Sequence, residues 1–198
     1  MLPGKYGVVL SKKQDGKIED LTKPVWFNVV AEGTAGMNEA DRQALLAFQQ
    51  KVSRLYRSFN GASKTTEDLR SRMKQIKRAL NETPSADRGM TTRADELDAR
   101  LNKLAIEIRG DSALEARNEN TPASISDRIQ SIIFGSRMST ARPTQTNVDN
   151  YNVASQEYAT VLEALKAIAE TDLPKLESDM EKAGAPWTPG RIPTYQPE

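Results

Sequence analysis

Among its 198 residues the chain has no cysteine and no histidine. Without cysteine there is no disulfide, no thiolate nucleophile and no sulfur-ligated metal. Without histidine the commonest general base, transition-metal ligand and physiological pH switch are missing together. Any acid–base chemistry has to rest on Asp, Glu, Lys or Tyr, and no motif calls for a cofactor. Charge of one sign is lacking too: 28 basic and 27 acidic residues leave a net +1. That gives no electrostatic case for nucleic acid or for an anionic membrane. No apolar run approaches the roughly 20 residues that cross a bilayer, so no membrane span is expected. The opening Met1-Leu2-Pro3-Gly4-Lys5-Tyr6 lacks the basic start and apolar centre of a signal peptide. Hydrophobic residues make up 37% and aromatics only 6%, while 28% are charged. Long thin bundles have such compositions, because much of each helix faces water.

What the chain does have is periodicity. Leu45, Phe48, Val52, Leu55, Phe59, Ala62, Thr66, Leu69, Met73, Ile76 and Leu80 are spaced by alternating steps of three and four. One helix with that spacing carries a continuous apolar seam that must be buried against other helices. Asn38 is a suitable N-cap, with Glu39 and Asp41 in the first turn, and Pro84 lies beyond the end. At 1.5 Å per residue the rod is roughly 60 Å long. Gly61 is its weak point.

A second helix follows from Met90, Ala94, Leu97, Leu101, Leu104 and Ile108, ended by Gly110. Residues 111–120 read as a polar loop. Thr121-Pro122 reads as the start of a short third helix with face Ile125, Ile129, Ile132 and Ile133, weakened or ended at Gly135. A fourth opens near Thr144–Thr146, with a seam at Val148, Tyr151, Ser155, Tyr158, Leu162, Leu165 and Ala169. Pro174 predicts a kink, after which Leu173, Leu176 and Met180 resume the stripe until Gly184 and Pro186 stop it. Ahead of the helices, Lys5 to Leu10 and Val25 to Val30 read as two strands, with Asp15-Gly16 as a turn signal between them. Two strands alone are marginal in water. The hairpin must therefore pack on the bundle or await a partner.

The fold expected is mainly α: an elongated antiparallel three- to four-helix bundle with an N-terminal β-hairpin. Residues 1–36 form the hairpin and linker, 37–184 the bundle, and 185–198 an extended proline-rich tail. The two long helices should pair, with the second and third acting end to end as a broken third rod. Leu55, Phe59, Leu69, Leu101, Leu104, Tyr158, Leu162 and Leu165 are the expected core.

Several stretches carry a resemblance. They are Ser124-Ile125-Ser126-Asp127-Arg128-Ile129, Phe134-Gly135, Pro143-Thr144-Gln145-Thr146, and the run from Ala183-Gly184-Ala185-Pro186-Trp187 through Thr188-Pro189-Gly190-Arg191. Together they resemble the C-terminal region of large bacterial proteins with BNR or sortilin-type β-propellers. Those proteins are exported and often labelled glycosyl hydrolases or sialidase-like. Leu2-Pro3-Gly4-Lys5-Tyr6-Gly7-Val8-Val9-Leu10 is similar to the strand that precedes the helical tail there, the last part of a sandwich-like module. The propeller's Ser-x-Asp-x-Gly-x-x-Trp box is not in this chain, so none of the propeller's chemistry comes with the resemblance. It implies an exported C-terminal fragment or domain, whose partners are the missing propeller and sandwich modules.

Candidate sites are few. Glu96, Asp98, Asp172, Glu177, Asp179 and Glu181 are paired carboxylates of the kind glycosidases use, but they read as a solvated face. The basic run Arg70, Arg72, Lys74, Lys77 and Arg78 reads as a helix face balanced by neighbouring acids. Arg109-Gly110-Asp111 marks a helix end. Arg128, beside Asp127, is expected to hold a carboxylate of the fourth helix or to dock another module. Trp187, Arg191 and Tyr195 are interface hot-spot types on a segment too proline-rich to fold alone. They either plug the end of the bundle or dock a partner. The hairpin and the tail are expected to share one junction with the missing part, and the hairpin offers a route to self-association.

The leading functional expectation is a non-catalytic structural or interaction domain, a spacer or clamp. The alternatives are a glycan- or protein-binding helical module and, less favoured, a carboxylate-based glycoside hydrolase.

Overall fold

The computed structural model of the protein describes residues 2–31, 36–139 and 141–194. Its helices form three long rods. The first is α1 (Glu39–Asn81), an unbroken helix of 43 residues. It runs straight through Gly61, where a Cβ would meet open space. Asn38 caps it by accepting the Asp41 amide at 2.8 Å. Seam residues from Phe48 to Leu80 are buried. Thr66, the polar member, is satisfied by donating its hydroxyl to the Ala62 carbonyl at 2.9 Å.

The second rod is broken, as the lengths suggested. It consists of α2 (Arg88–Arg109) and α4 (Ile125–Arg137). Lys77 meets Asp98, Arg70 meets Asn102, and Arg109 meets Ser63, so α2 descends antiparallel to α1. Ile132 of α4 then packs on Phe48 and Val52 near the base of α1.

The third rod is α5 (Gln145–Ala167), a π-helical turn (Ile168–Asp172) and α6 (Leu173–Lys182). Tyr151 packs edge-on against Phe48, Tyr158 shares a 2.7 Å hydrogen bond with Ser58, and Glu177 meets Arg72. This rod therefore climbs parallel to α1. Met73, Ile76, Leu101, Ile129, Ile168 and Met180 fill the space between the rods and are wholly buried.

Several expectations need correction. The short helix α4 is capped by Ser124, not Thr121, because Ser124 and Asp127 form a reciprocal capping box. It continues past Gly135 to Arg137. The stretch after Gly110 contains one helical turn, α3 (Ser112–Glu115), capped by Asp111. Pro174 produces a π turn: the Leu173 amide reaches back to the Ile168 carbonyl, adding one residue to the turn. That insertion shifts the stripe. Ala154, Tyr158, Val161, Leu165 and Ile168 are buried, and the next buried position is Leu173, five residues on. Leu162 is consequently only partly buried, whereas the other seven expected core residues are buried.

The N-terminal ribbon is longer than the two strands expected. β1 (Gly4–Val8) pairs antiparallel with β4 (Val25–Val29), and β2 (Ser11–Gln14) with β3 (Lys17–Asp20). Asp15 and Gly16 turn the tip with φ of 50° and 77°, the left-handed pair that a tight hairpin requires. By register and alternation Tyr6, Val8, Val25, Phe27 and Val29 share one face. The strands make their principal contacts with each other, not with a helix.

Candidate functional site

The tail was the richest candidate, and the structure folds its described part back onto the upper half of the bundle. Gly184, with φ of 72°, turns the chain at the end of α6. The Ala185 amide donates to the Met180 carbonyl and the Gly184 amide to Glu181, a Schellman-type stop. Ser85, in the turn after α1, donates its hydroxyl to the Ala183 carbonyl and ties the turn down.

The returning segment meets a charged clasp. Glu177 of α6 is buried, with a side-chain exposure of 7%. Its Oε2 accepts from Arg72 Nη2 of α1 at 2.8 Å, and Oε1 lies 2.6 Å from the same nitrogen. Arg191 of the tail brings its Nε to 4.0 Å from the same carboxylate and donates Nη2 to Glu181 at 2.7 Å. The Arg191 guanidinium also lies over the Trp187 ring, 4.2 Å from its centroid. Gly190, at φ 90°, passes so close to the Arg72 guanidinium that a Cβ would sit 3.3 Å from its carbon. Thr188, on the same returning segment, is buried.

Trp187 and Arg191 are therefore joined with Arg72 and Glu177, two residues the sequence reading had placed in a basic run and an acidic run. The signal for Glu177 was its place next to Leu176 on the apolar stripe, an inward position for a carboxylate. Tyr195 lies outside the described residues. Arg128 is not part of this cluster. It sits on α4 against α5, with Nη1 donating to Asn150 at 3.3 Å and Nε 3.6 Å from Glu157.

The clasp and the ribbon attach at well-separated points of α1. The ribbon leads into the start of α1, while Arg72 lies about 50 Å further along that helix.

Of the remaining carboxylates, Glu96 lies on the exposed face as expected, while three others are paired. Asp172 holds Arg100 at 2.7 Å, Asp179 holds Arg93 at 2.8 Å, and Asp98 holds Lys77 at 3.2 Å. The Arg93 hydrogen bond keeps the Asp179 carboxyl below its ordinary range, with Lys182 adding to it. Hydrogen bonds from Lys77 to Asp95 and Asp98 raise the ammonium above its ordinary range. These pairs cross between helices and clip the rods together, although most are partly exposed and individually weak. Arg109 likewise pairs with Glu67 at 2.6 Å, and Gly110 and Asp111 are a helix end and a cap.

Among the described residues no group of three His, Cys, Asp or Glu is placed to hold a metal ion. No helix there is long and apolar enough to cross a membrane. No family model, curated protein or solved structure matches this chain.

Proposed function

We propose that this chain is a non-catalytic structural and interaction domain: a helical strut whose N-terminal ribbon is completed by a β-rich module. The setting in which that makes sense is the one the sequence resembles, the C-terminal end of a larger exported β-propeller protein. One observation carries the reading. The ribbon shows an apolar face, with Val25 67%, Val8 57% and Phe27 44% exposed, and among the described residues its strands make their principal contacts with each other.

The ribbon is also preformed for docking. Tyr6 and Phe27 pair across the strands at 6.2 Å, and Trp26 lies over Gly7 with Lys5 above its ring. The distal half, β2 and β3, is charged, with Lys12 opposite Glu19 and Ser11 bonded to Asp20. Charge of that kind guards an edge against pairing. β4, Val-Trp-Phe-Asn-Val, has no such guard. The strut itself supports a passive role. Asp172, Glu177 and Asp179 are each engaged by an arginine of a neighbouring helix.

The test is to melt the full chain beside one that begins at Gly36. The reading expects the two transitions to agree within about 3 °C, because ribbon and core are separate. It also expects the indole signal of Trp26 to move when the chain is joined to a preceding β module. A fall of about 10 °C or more on removing the ribbon would make it part of the bundle. An unmoved Trp26 signal would remove the docking role.

A further inference from the structure

The second rod is broken, and the break is a notch. α2 stops at Gly110 and α4 starts at Ile125, and between them lies a cavity of about 500 Å³ backed by α5. That is within the size range of ligand-binding clefts. Its floor is apolar: Ile106 from α2, Leu114 from α3, then Pro122, Ala123 and Ile125. Ile106 is 46% exposed, a large aliphatic side chain at mid-bundle with nothing closed over it.

The charged groups lining the notch are all of one sign. They are Glu107, Asp111 and Glu157, with no lysine or arginine among the lining residues. Asp111 is occupied, accepting the amides of Ala113 and Leu114 at 3.0 and 3.3 Å. The other two are held loosely. Glu107 meets Lys103 at 4.0 Å, and Glu157 lies 3.6 Å from an Arg128 Nε that has no hydrogen-bond partner. The C-terminus of α2 points its negative dipole end at the same place. No aromatic ring lines the notch, so it lacks the stacking platform a sugar would use.

We propose that this notch is a docking site for a protein partner, and that it takes a lysine side chain flanked by apolar residues. The four-carbon stem lies along Ile106 and Leu114, and the ammonium reaches Glu107 and Glu157. Two carboxylates on separate helices suit a compact point charge better than the planar fork of arginine. The inference is independent of the ribbon and stands or falls separately from the strut reading.

The experiment is a titration of the full chain, followed by amide NMR. The probe is the capped peptide Ala-Leu-Lys-Leu-Ala, with norleucine, glutamate and arginine versions at the centre, beside n-hexylammonium. The lysine peptide is expected to shift the Ile106, Leu114 and Thr160 amides saturably, and to bind at least about tenfold more tightly than the norleucine, glutamate or arginine versions. Glu107→Gln with Glu157→Gln should bring it down to the norleucine level, and Glu107→Gln alone should weaken it without changing the melt. Ile106→Gln should weaken all the peptides alike. No saturable shift up to about 10 mM overturns the proposal. So does equal binding of the norleucine or arginine peptide. Hexylammonium binding as tightly as the peptide overturns it in favour of a small-amine site.

Discussion

Met73 on α1 and Val25 on β4 both sit at periodic apolar positions of their elements, yet Met73 is fully buried and Val25 is 67% exposed. The same contrast separates the whole bundle from the whole ribbon. Each helical rod has two others to lean on, and the three seams close on one core. The ribbon is only two strands wide, and among the described residues no second layer covers its apolar face. Periodicity names the face that wants cover; it does not supply the cover. Where cover is at hand a core results, and where it is not the apolar face stays exposed.

The largest way to break this contrast is to empty the core. Leu101→Ala should cost about 2–5 kcal/mol, because a wholly buried leucine leaves a cavity between the rods. Phe27→Ala on the ribbon should leave the bundle transition within about 0.5 kcal/mol of the parent. Comparable losses from both changes, read by denaturant melts, would mean that ribbon and bundle share a core.

Next in size is the clasp. Glu177→Ala leaves Arg72 and Arg191 facing each other without their carboxylate. A loss of about 2–3 kcal/mol is expected, below the full cost of a buried pair because Arg72 retains some solvent. The Trp187 indole signal should move with it, while that of Trp26 stays put. A silent Glu177→Ala melt would show that the strap rests on Trp187 and Thr188 alone.

Gly61→Ala should act in the opposite direction. The added methyl meets open space within a regular helix, so a gain of about 0.5–1 kcal/mol is expected. A loss would mean that α1 bends at this glycine in solution.

The smallest effect concerns acid. The carboxyl of Asp179 is held below its ordinary range in the folded chain, chiefly by Arg93. Its contribution is therefore fully present above the ordinary carboxylate range and is lost as pH falls through the lower, folded value. Asp179→Asn should flatten the acid side of the bundle's stability curve slightly and leave its neutral-to-alkaline shape unchanged. A steeper acid limb in the variant would contradict the direction of the shift.

Much of the bundle was legible because its helices keep one rule for many turns. α1 is a single seam from end to end, and the caps Asn38, Gly110, Thr144 and Gly184 stand where the side-chain chemistry places them. Before Pro174 the spacing misplaces alternate positions of the third rod, while Tyr158 and Leu165 lie inward as expected. An unbroken three-four spacing put Leu162 and Ala169 inward, whereas the π turn makes Val161 and Ile168 the buried pair. Nothing local in Leu162 or Val161 separates them, since both are aliphatic and adjacent. The clasp was half legible for a similar reason. Trp187 and Arg191 declare themselves by type, but Arg72 and Glu177 look like ordinary members of charged runs until three segments converge. The notch had no sequence signal beyond Gly110 and the polar stretch after it, since its shape comes from the gap between two helices.

Native-state amide exchange tests the central claim most directly. Separate ribbon and bundle imply two stabilities in one chain. The amides of Met73, Leu101 and Ile129 should exchange only through global unfolding, and their protection should fall together in dilute denaturant. Those of Tyr6, Val25 and Phe27 should exchange through local opening at a far lower free energy that denaturant barely changes. Equal protection in both sets, lost at one denaturant concentration, would contradict the account and make ribbon and bundle a single cooperative unit.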